Sequence, residues 1–219
     1  MVSYPSLRES PSLTVGFLPF RYVRACVKVY LSMRQRTGKS KARQLNEDTT
    51  VQESRTIDPQ KARDRTMERA VKLLAAKPRS VEELRERLLE KKYASEAIVE
   101  TVLEKLKEYD FLNDERFAFG YASSKVRQQP VGRRRLQRAL ELKKVDREIS
   151  NEAISLVFEQ TPEEELIDRA LSKRFRLRGR PKTRAQTKSL LDHLLRQGFS
   201  YELVMQKVRA ASAADIDED

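Results

Sequence analysis

The chain has one cysteine and one histidine among its 219 residues, and it has no tryptophan. A single cysteine, Cys26, excludes a disulfide within the chain and is typical of reducing compartments, so we expect a cytoplasmic protein. One histidine and one cysteine cannot form a zinc site, and we predict neither a metal nor a cofactor. His193 lies among leucines on a predicted helix, which indicates a partly buried structural role.

The sequence also lacks the motifs of common catalytic sites. It contains no glycine-rich phosphate loop, no HExxH, no CxxC and no Ser/His/Asp arrangement that one histidine could serve. The acidic runs at 82–83 and 163–165 fall in the first turns of predicted helices, where capping and the helix dipole explain them. A two-metal nuclease would need carboxylates gathered in space, which sequence alone leaves open. We predict that the chain is not an enzyme.

Long hydrophobic runs are absent as well. Residues 13–31 are mixed apolar and basic, and a proline and basic side chains interrupt them too often for a membrane span. This stretch could be a short amphipathic helix, a membrane-surface anchor, or translated sequence upstream of a start at Met33 or Met67. Residues 37–61 are polar and typical of a disordered linker. We therefore expect residues 1–66 to be an N-terminal extension that is disordered or partly helical.

Positive charge is in excess, with 45 Lys and Arg against 33 Asp and Glu, which gives a net charge of +12. It is unevenly distributed, because residues 67–115 carry 10 basic and 12 acidic side chains, whereas residues 116–160 carry 10 and 5. Four acids close the chain in residues 215–219. A positive centre between a nearly neutral first part and an acidic tail suggests a polyanion or an acidic protein surface as the partner.

One leucine-rich pattern occurs three times, at intervals of 52 and then 54 residues. This interval leaves room for about three short helices in each copy. Serine, threonine, asparagine and aspartate precede several apolar stretches of helical spacing, as N-caps do; they include Thr66, Ser80 with Glu83 as a capping box, and Asn113. The copies are Leu84, Leu88 and Tyr93; Leu136, Leu140 and Val145; and Leu190, Leu194 and Phe199.

These features predict an all-α protein of three tandem three-helix repeats that form a curved, elongated array, with no sheet. We expect the repeats to occupy residues 67–112, 113–160 and 161–211, followed by an acidic tail at 212–219. Such arrays usually provide an extended binding surface in place of a catalytic pocket.

A first basic segment begins the second helix of the second repeat. On this helix Arg134 and Arg138 share one side while Leu136 faces inward. Cations at a helix N-terminus oppose the helix dipole, so their presence favours a binding function. A solvated basic face paired with Glu141 and Glu148 is the alternative. The predicted contact residues are Arg133, Arg134, Arg135, Arg138, Lys143 and Lys144.

A second basic segment alternates cations with apolar residues, glycine and proline. Because Gly179 and Pro181 lie within it, we predict a loop between helices that could wrap a phosphate backbone or enter an acidic protein groove. A solvated linker is the alternative. The weaker contact candidates here are Arg174, Arg176, Arg178 and Arg180.

Three motifs resemble the RecX family in their order and spacing. They are DFLNDERFA at 110–118, GRRRL at 132–136 with LELKKV at 140–145, and an opening pattern around Leu73, Leu74 and Glu83-Leu84. The resemblance covers residues 68–209, and Asp110 and Lys144 stand where the family pattern usually has glycine. Residues 1–66 lie outside it.

This resemblance implies a regulator of the RecA recombinase. RecX proteins lie in the groove of the RecA filament on DNA and lower its strand exchange, ATP hydrolysis and co-protease activities. The expected partner is therefore the RecA filament on DNA, with possible contact to DNA phosphates; we expect a monomer with no small-molecule substrate and no membrane. The alternative is a helical protein that binds nucleic acid independently of RecA.

Overall fold

The computed structural model describes residues 58–213, with side chains described up to residue 211. The expectations for Cys26, for the stretch 13–31 and for most of the N-terminal extension lie outside these residues, as does the end of the acidic tail. Between residues 58 and 213 the chain forms nine α-helices and no strand. They are α1 Pro59–Ala76, α2 Val81–Leu89, α3 Glu96–Glu108, α4 Asp114–Gln128, α5 Arg133–Glu141, α6 Arg147–Gln160, α7 Glu163–Arg178, α8 Arg184–Arg196 and α9 Tyr201–Ala213.

The helices pack in groups of three, which confirms the all-α prediction of three-helix repeats. The closest helix pairs lie within α1–α3, within α4–α6 and within α7–α9, and we call these groups repeats 1, 2 and 3. The leucines of the recurring pattern are buried in all three repeats, as are Val145 and Phe199, whereas Tyr93 is half-buried. The pattern therefore marks the apolar face of each repeat's second helix and the residue that follows its closing turn.

Most predicted helix starts carry the expected caps. Asn113 accepts a hydrogen bond from the Arg116 N–H at 2.8 Å, and Ser80 accepts one from the Glu83 N–H at 3.1 Å. The capping box predicted at Ser80 is incomplete, because the Glu83 carboxylate forms ion pairs with lysine and arginine side chains and does not bond to the Ser80 N–H. A complete box occurs at the start of α8, where Thr183 and Gln186 cap each other.

The first helix begins earlier than the sequence suggested. Asp58 caps α1, and Thr66, which we expected to be the cap, lies fully buried inside the helix. The Thr66 hydroxyl donates to the Ala62 carbonyl at 2.8 Å. A threonine can satisfy its hydroxyl in this way within a helix, so its presence alone does not mark a helix start.

Asp110 and Lys144 adopt the left-handed conformation that the glycines of the family pattern would favour, with φ of 56° and 57°. Gly198 has φ of 92° and lies 54 residues after Lys144, at the equivalent turn of repeat 3. In repeats 2 and 3 the turn after the second helix therefore contains a left-handed residue whether or not that residue is a glycine. For Lys144 the left-handed conformation costs on the order of 1 to 2 kcal/mol, which the contacts of this turn must offset.

Candidate functional site

Consecutive repeats meet through the start of one repeat's second helix, and we call each such contact a joint. At the joint of repeats 1 and 2, the Ser80 hydroxyl donates a hydrogen bond to the Lys143 carbonyl. Next to it the Val81 N–H donates to the Asp114 carboxylate at 2.9 Å. Burial raises the pKa of Asp114. The carboxylate of the following repeat thus accepts from an N–H that has no partner within its own helix.

Lys143 and Lys144 belong to this joint. The Lys143 ammonium lies 3.1 Å from the Glu83 carboxylate, and Lys144 pairs with Glu86. Glu83 also accepts from Lys77 at 3.3 Å and from Arg79. Burial of Glu83 by itself raises the pKa of its carboxyl, but the hydrogen bonds and charges of Lys143 and Lys77 outweigh it and hold the pKa below its usual value. The two lysines bind repeat 1 and are only partly available to a partner.

The joint of repeats 2 and 3 uses equivalent positions. The Gly132 N–H donates to the Gln197 carbonyl at 2.9 Å, and the Arg134 N–H donates to the Gly198 carbonyl at 3.1 Å. The two backbones are so close that a Cβ placed on Gly132 would lie 2.3 Å from the backbone of Gly198. Gly132 is therefore required by close packing between repeats, a role that its place before a helix did not reveal.

Arg133 and Arg135 are also joint residues. The Arg133 N–H donates to the Glu163 carboxylate at 3.1 Å, and its guanidinium lies 4.7 Å from the centre of the Phe158 ring. Arg135 donates to the Gln197 side chain. Burial raises the pKa of Glu163, and the Arg133 N–H and charge oppose this. The negative charge of Glu163, which belongs to repeat 3, thus offsets part of the unfavourable interaction between these cations and the dipole of α5.

Arg134 and Arg138 are the first-segment candidates whose guanidinium groups remain available. Both are exposed, and neither forms an ion pair or a side-chain hydrogen bond within residues 58–211. The structure thus divides one basic run into joint residues and surface residues. The repeat interval could have predicted this division. Arg133 lies 52 residues after Val81 and Gln197 lies 54 residues after Lys143, so residues at one joint have equivalents at the next joint.

The second basic segment differs from its prediction, because most of it is helical. Helix α7 continues to Arg178, and only residues 179–183 form the loop, which begins at Gly179 with φ of 71°. The glycine ends the helix but does not unwind the arginines before it, which continue the pattern of α7. Arg174, Arg176 and Arg178 are therefore fixed on a helix, and only Arg180 lies in a loop.

Three of the four candidates in this segment surround a surface cleft between α7 and α8, with a volume of about 200 Å³. Arg176 is not among its lining residues. We call this feature the α7–α8 cleft; its lining includes Arg174, Arg178, Arg180, Phe175, Gln186 and Ser189.

The charges near the α7–α8 cleft act on one another. Desolvation and then the charges of Arg178 and Arg196 lower the pKa of Arg174. Desolvation and the same group of arginines lower the pKa of His193, which is half-buried as expected. Arg174 and Arg178 thus bring positive charge to the cleft without an ion pair to a carboxylate of the described residues.

Neither metal ligation nor membrane crossing has structural support in the part of the chain that the structure describes. No three His, Cys, Asp or Glu side chains among these residues gather as a metal-holding group. No described helix combines the length and apolar character that crossing a membrane requires.

Three successive three-helix repeats linked by equivalent joints define the class of helical-repeat proteins, which bind partners through surfaces built from several repeats. Within this class, the chain belongs to the RecX family. The profile of RecX, first three-helix domain, matches residues 67–106, and that of RecX, second three-helix domain, matches residues 113–154.

Relatives with the name Regulatory protein RecX are 30 to 34% identical to this chain over the aligned residues. The Bacillus licheniformis protein is 30% identical over 136 residues, which is 62% of this chain and 51% of that protein. The Treponema pallidum protein is 34% identical over 104 residues, or 48% of this chain and 63% of that protein. The chain thus spans about half the length of its Bacillus relative. These relatives are named as regulatory proteins and not as enzymes.

Two solved structures share the fold. RecX from Lactobacillus salivarius superposes with a TM-score of 0.63 at 19% identity, and covers 70% of this chain and 99% of its own. A second regulatory protein RecX gives a TM-score of 0.61 at 20% identity, with 84% and 85% coverage. At this identity the likeness concerns the fold.

Proposed function

We propose that this chain binds the RecA filament on DNA and inhibits its recombinase, ATPase and co-protease activities. Membership of the RecX family is the observation that carries the proposal. In this function the protein acts in the cytoplasm by binding alone, as a monomer, without a catalytic step, a metal or a cofactor. No membrane and no small-molecule substrate take part.

The available cations support this proposal and refine the contact surface. Arg134 and Arg138 are exposed on repeat 2 and make no ion pair with the described residues. Arg133, Arg135, Lys143 and Lys144 contribute mainly by holding the joints, so their effect on a filament would be indirect. We therefore assign direct contact to Arg134 and Arg138, with Arg174, Arg178 and Arg180 as a second group and Arg176 beside them.

A nucleic-acid-binding protein that acts independently of RecA is the second candidate. The α7–α8 cleft favours it, since Arg174 and Arg178, which form no ion pair within residues 58–211, suit a phosphate backbone. Such a protein would interfere with a filament only by covering the DNA.

DNA-dependent ATP hydrolysis by the cognate RecA separates the two candidates. The chain is titrated into preformed filaments, and its binding to bare DNA is measured at the same salt concentration. A filament regulator inhibits at ratios far below those that coat the DNA. Inhibition that begins only when the DNA is covered contradicts the proposed function and supports the second candidate.

A further inference from the structure

We propose that the α7–α8 cleft is a binding site for the phosphodiester backbone of nucleic acid. The inference rests on the proposed function for its setting, because the nucleic acid would be the DNA that carries the filament. It goes further by naming DNA, and not the recombinase, as what repeat 3 contacts.

The first argument is that two arginines of the cleft, Arg174 and Arg178, lack acidic partners among the described residues. At the joint of repeats 1 and 2, Lys143 and Lys144 each meet a glutamate. Around the cleft, Arg174 and Arg178 form no ion pair within residues 58–211. Arg196, whose charge acts on Arg174, donates to the backbone carbonyl of Asp192 at 3.2 Å and not to its carboxylate. An anion bound here would relieve this repulsion between cations.

The second argument is that the polar groups of the cleft are predominantly donors. The Gln186 carbonyl oxygen already accepts from the Lys182 and Thr183 N–H groups at 2.7 and 3.3 Å, which leaves its NH₂ group to donate. Ser189 accepts from Arg174 at 3.4 Å, so its own hydroxyl hydrogen is available to a ligand. Guanidinium, hydroxyl and amide donors together are the groups with which proteins contact phosphate oxygens.

The third argument is that the surroundings of the cleft are ordered by local contacts. Gly179 ends α7 with φ of 71°, and Pro181 fixes the backbone of the short loop. The capping box of Thr183 and Gln186 then closes the loop onto α8. At the starts of α2 and α5, a carboxylate of the neighbouring repeat accepts a hydrogen bond from a backbone N–H of the helix. At the start of α8, the side chains of Thr183 and Gln186 in the same repeat accept from the backbone N–H groups. The loop and side chains of the cleft therefore lose less conformational entropy when a ligand binds, which favours affinity.

The spread of the cations favours a nucleic-acid backbone over an acidic protein segment. Arg174 and Arg178 follow each other by one helical turn on α7, and Arg180 continues the row into the loop. A row of guanidinium groups matches a ligand that carries charge at every unit, and each group can bind phosphate oxygens in a bidentate way.

The test measures fluorescence anisotropy of a labelled single-stranded oligothymidylate with the full chain, without RecA, over a range of salt concentrations. The test variant is Arg174→Ala with Arg178→Ala. Its matched control is Arg63→Ala with Arg65→Ala, which removes the same charge from exposed positions of α1. We expect the test variant to bind about tenfold more weakly, with a salt dependence less steep by about 1.4 in log K against log[salt] for two lost phosphate contacts. The control should retain the wild-type slope.

Equal losses in both variants would mean that net charge alone governs binding and would overturn the proposal, as would unchanged binding in the test variant. Tighter binding to polyglutamate than to the oligonucleotide would assign the cleft to an acidic protein and also overturn it. If the double variant melts early, Arg178→Ala alone serves, because this exposed side chain makes no hydrogen bond or ion pair with the described residues.

RecA inhibition, measured in parallel, separates this proposal from the proposed function. A wild-type chain that binds DNA through the cleft but never inhibits RecA supports the cleft and contradicts the function. A test variant that loses DNA binding but still inhibits at low ratios supports both, and shows that repeat 2 suffices for inhibition. A wild-type chain that inhibits but does not bind the oligonucleotide overturns the cleft alone.

Discussion

Neighbouring arginines on α5 differ in what they do, although they are chemically identical. The Arg133 guanidinium lies 3.8 Å from the Glu163 carboxylate and packs over Phe158, while Arg134 beside it carries its charge into solvent. Successive residues on a helix point about 100° apart, so one of them can face the joint and the next the outside. The role of a cation here depends on its direction from the helix and on what the next repeat presents.

This difference predicts that two double substitutions on α5 affect different properties, one the inhibition of RecA and the other the stability of the fold. Arg134→Ala with Arg138→Ala should leave the melting temperature nearly unchanged and weaken inhibition of RecA ATP hydrolysis. Arg133→Ala with Arg135→Ala should lower the free energy of unfolding by about 1 kcal/mol, because an exposed ion pair and a cation–π contact are lost. Urea unfolding and the ATPase titration measure the two effects. Intact inhibition by the first pair would remove Arg134 and Arg138 from the contact surface.

Lys144 offers a test of backbone strain at a single residue. Both Lys144→Gly and Lys144→Ala remove the pair with Glu86, but only glycine relieves the positive φ of 57°. We expect the glycine variant to be more stable than the alanine variant by about 1 kcal/mol. Equal free energies of unfolding in urea would show that the left-handed conformation at this position has no energetic cost for lysine or alanine.

At the scale of elements, the joint is the feature that the helices alone do not contain. Each joint places an acid from one repeat at the N-terminus of the second helix of the repeat before it, Asp114 on Val81 and Glu163 on Arg133. The orphan N–H groups of a short helix are thus satisfied by its neighbour. Because short helices are marginally stable alone, this arrangement lets the helices of successive repeats support one another.

The joint of repeats 2 and 3 should be most sensitive to a substitution at Gly132. Gly132→Ala should destabilise the chain by about 1 to 3 kcal/mol, because its methyl group would collide with the Gly198 backbone. The matched control is Gly120→Ala in α4, where an added Cβ meets nothing within 4 Å. There we expect a gain of about 1 kcal/mol from helix propensity. Thermal or urea unfolding of both variants tests the pair, and a neutral Gly132→Ala would mean that the joint can open without loss.

At the scale of the whole molecule, the repeats share their cores unequally. Buried residues from Ala118 to Val208 form one hydrophobic cluster that runs through repeats 2 and 3. The buried residues of repeat 1 are not part of that cluster, and hydrogen bonds and ion pairs link repeats 1 and 2. Repeats 2 and 3 should therefore behave as one cooperative unit, with repeat 1 coupled to it more weakly.

Two leucines at equivalent positions test this coupling. Leu136→Ala should cost about 2 to 5 kcal/mol through a cavity and speed hydrogen exchange throughout α4–α9. Leu84→Ala, at the same place in repeat 1, should speed exchange in α1–α3 and leave α7–α9 protected. Hydrogen exchange followed by mass spectrometry reports each repeat separately. Equal effects of the two substitutions on all nine described helices would show a single cooperative unit.

The helices and the repeats could be predicted from the amino-acid sequence. Helical spacing of leucines, caps such as Ser80 and Asn113, and an interval of 52 to 54 residues can be read from the sequence, and the described structure follows them. The start of α1 and the length of α7 were misjudged, because threonine can bond within a helix and Gly179 ends a helix without unwinding the arginines before it.

The availability of each cation could not be predicted from the sequence, because it depends on contacts between distant parts of the chain. Arg133, Arg135, Lys143 and Lys144 meet partners 30 to 62 residues away in the chain, and the cleft combines arginines of α7 with polar groups of α8. Such pairings depend on how the repeats dock, and docking follows from burial and from the close approach of Gly132 to Gly198. A charge pattern records that cations are present, but the availability of each cation depends on which groups the fold places beside it.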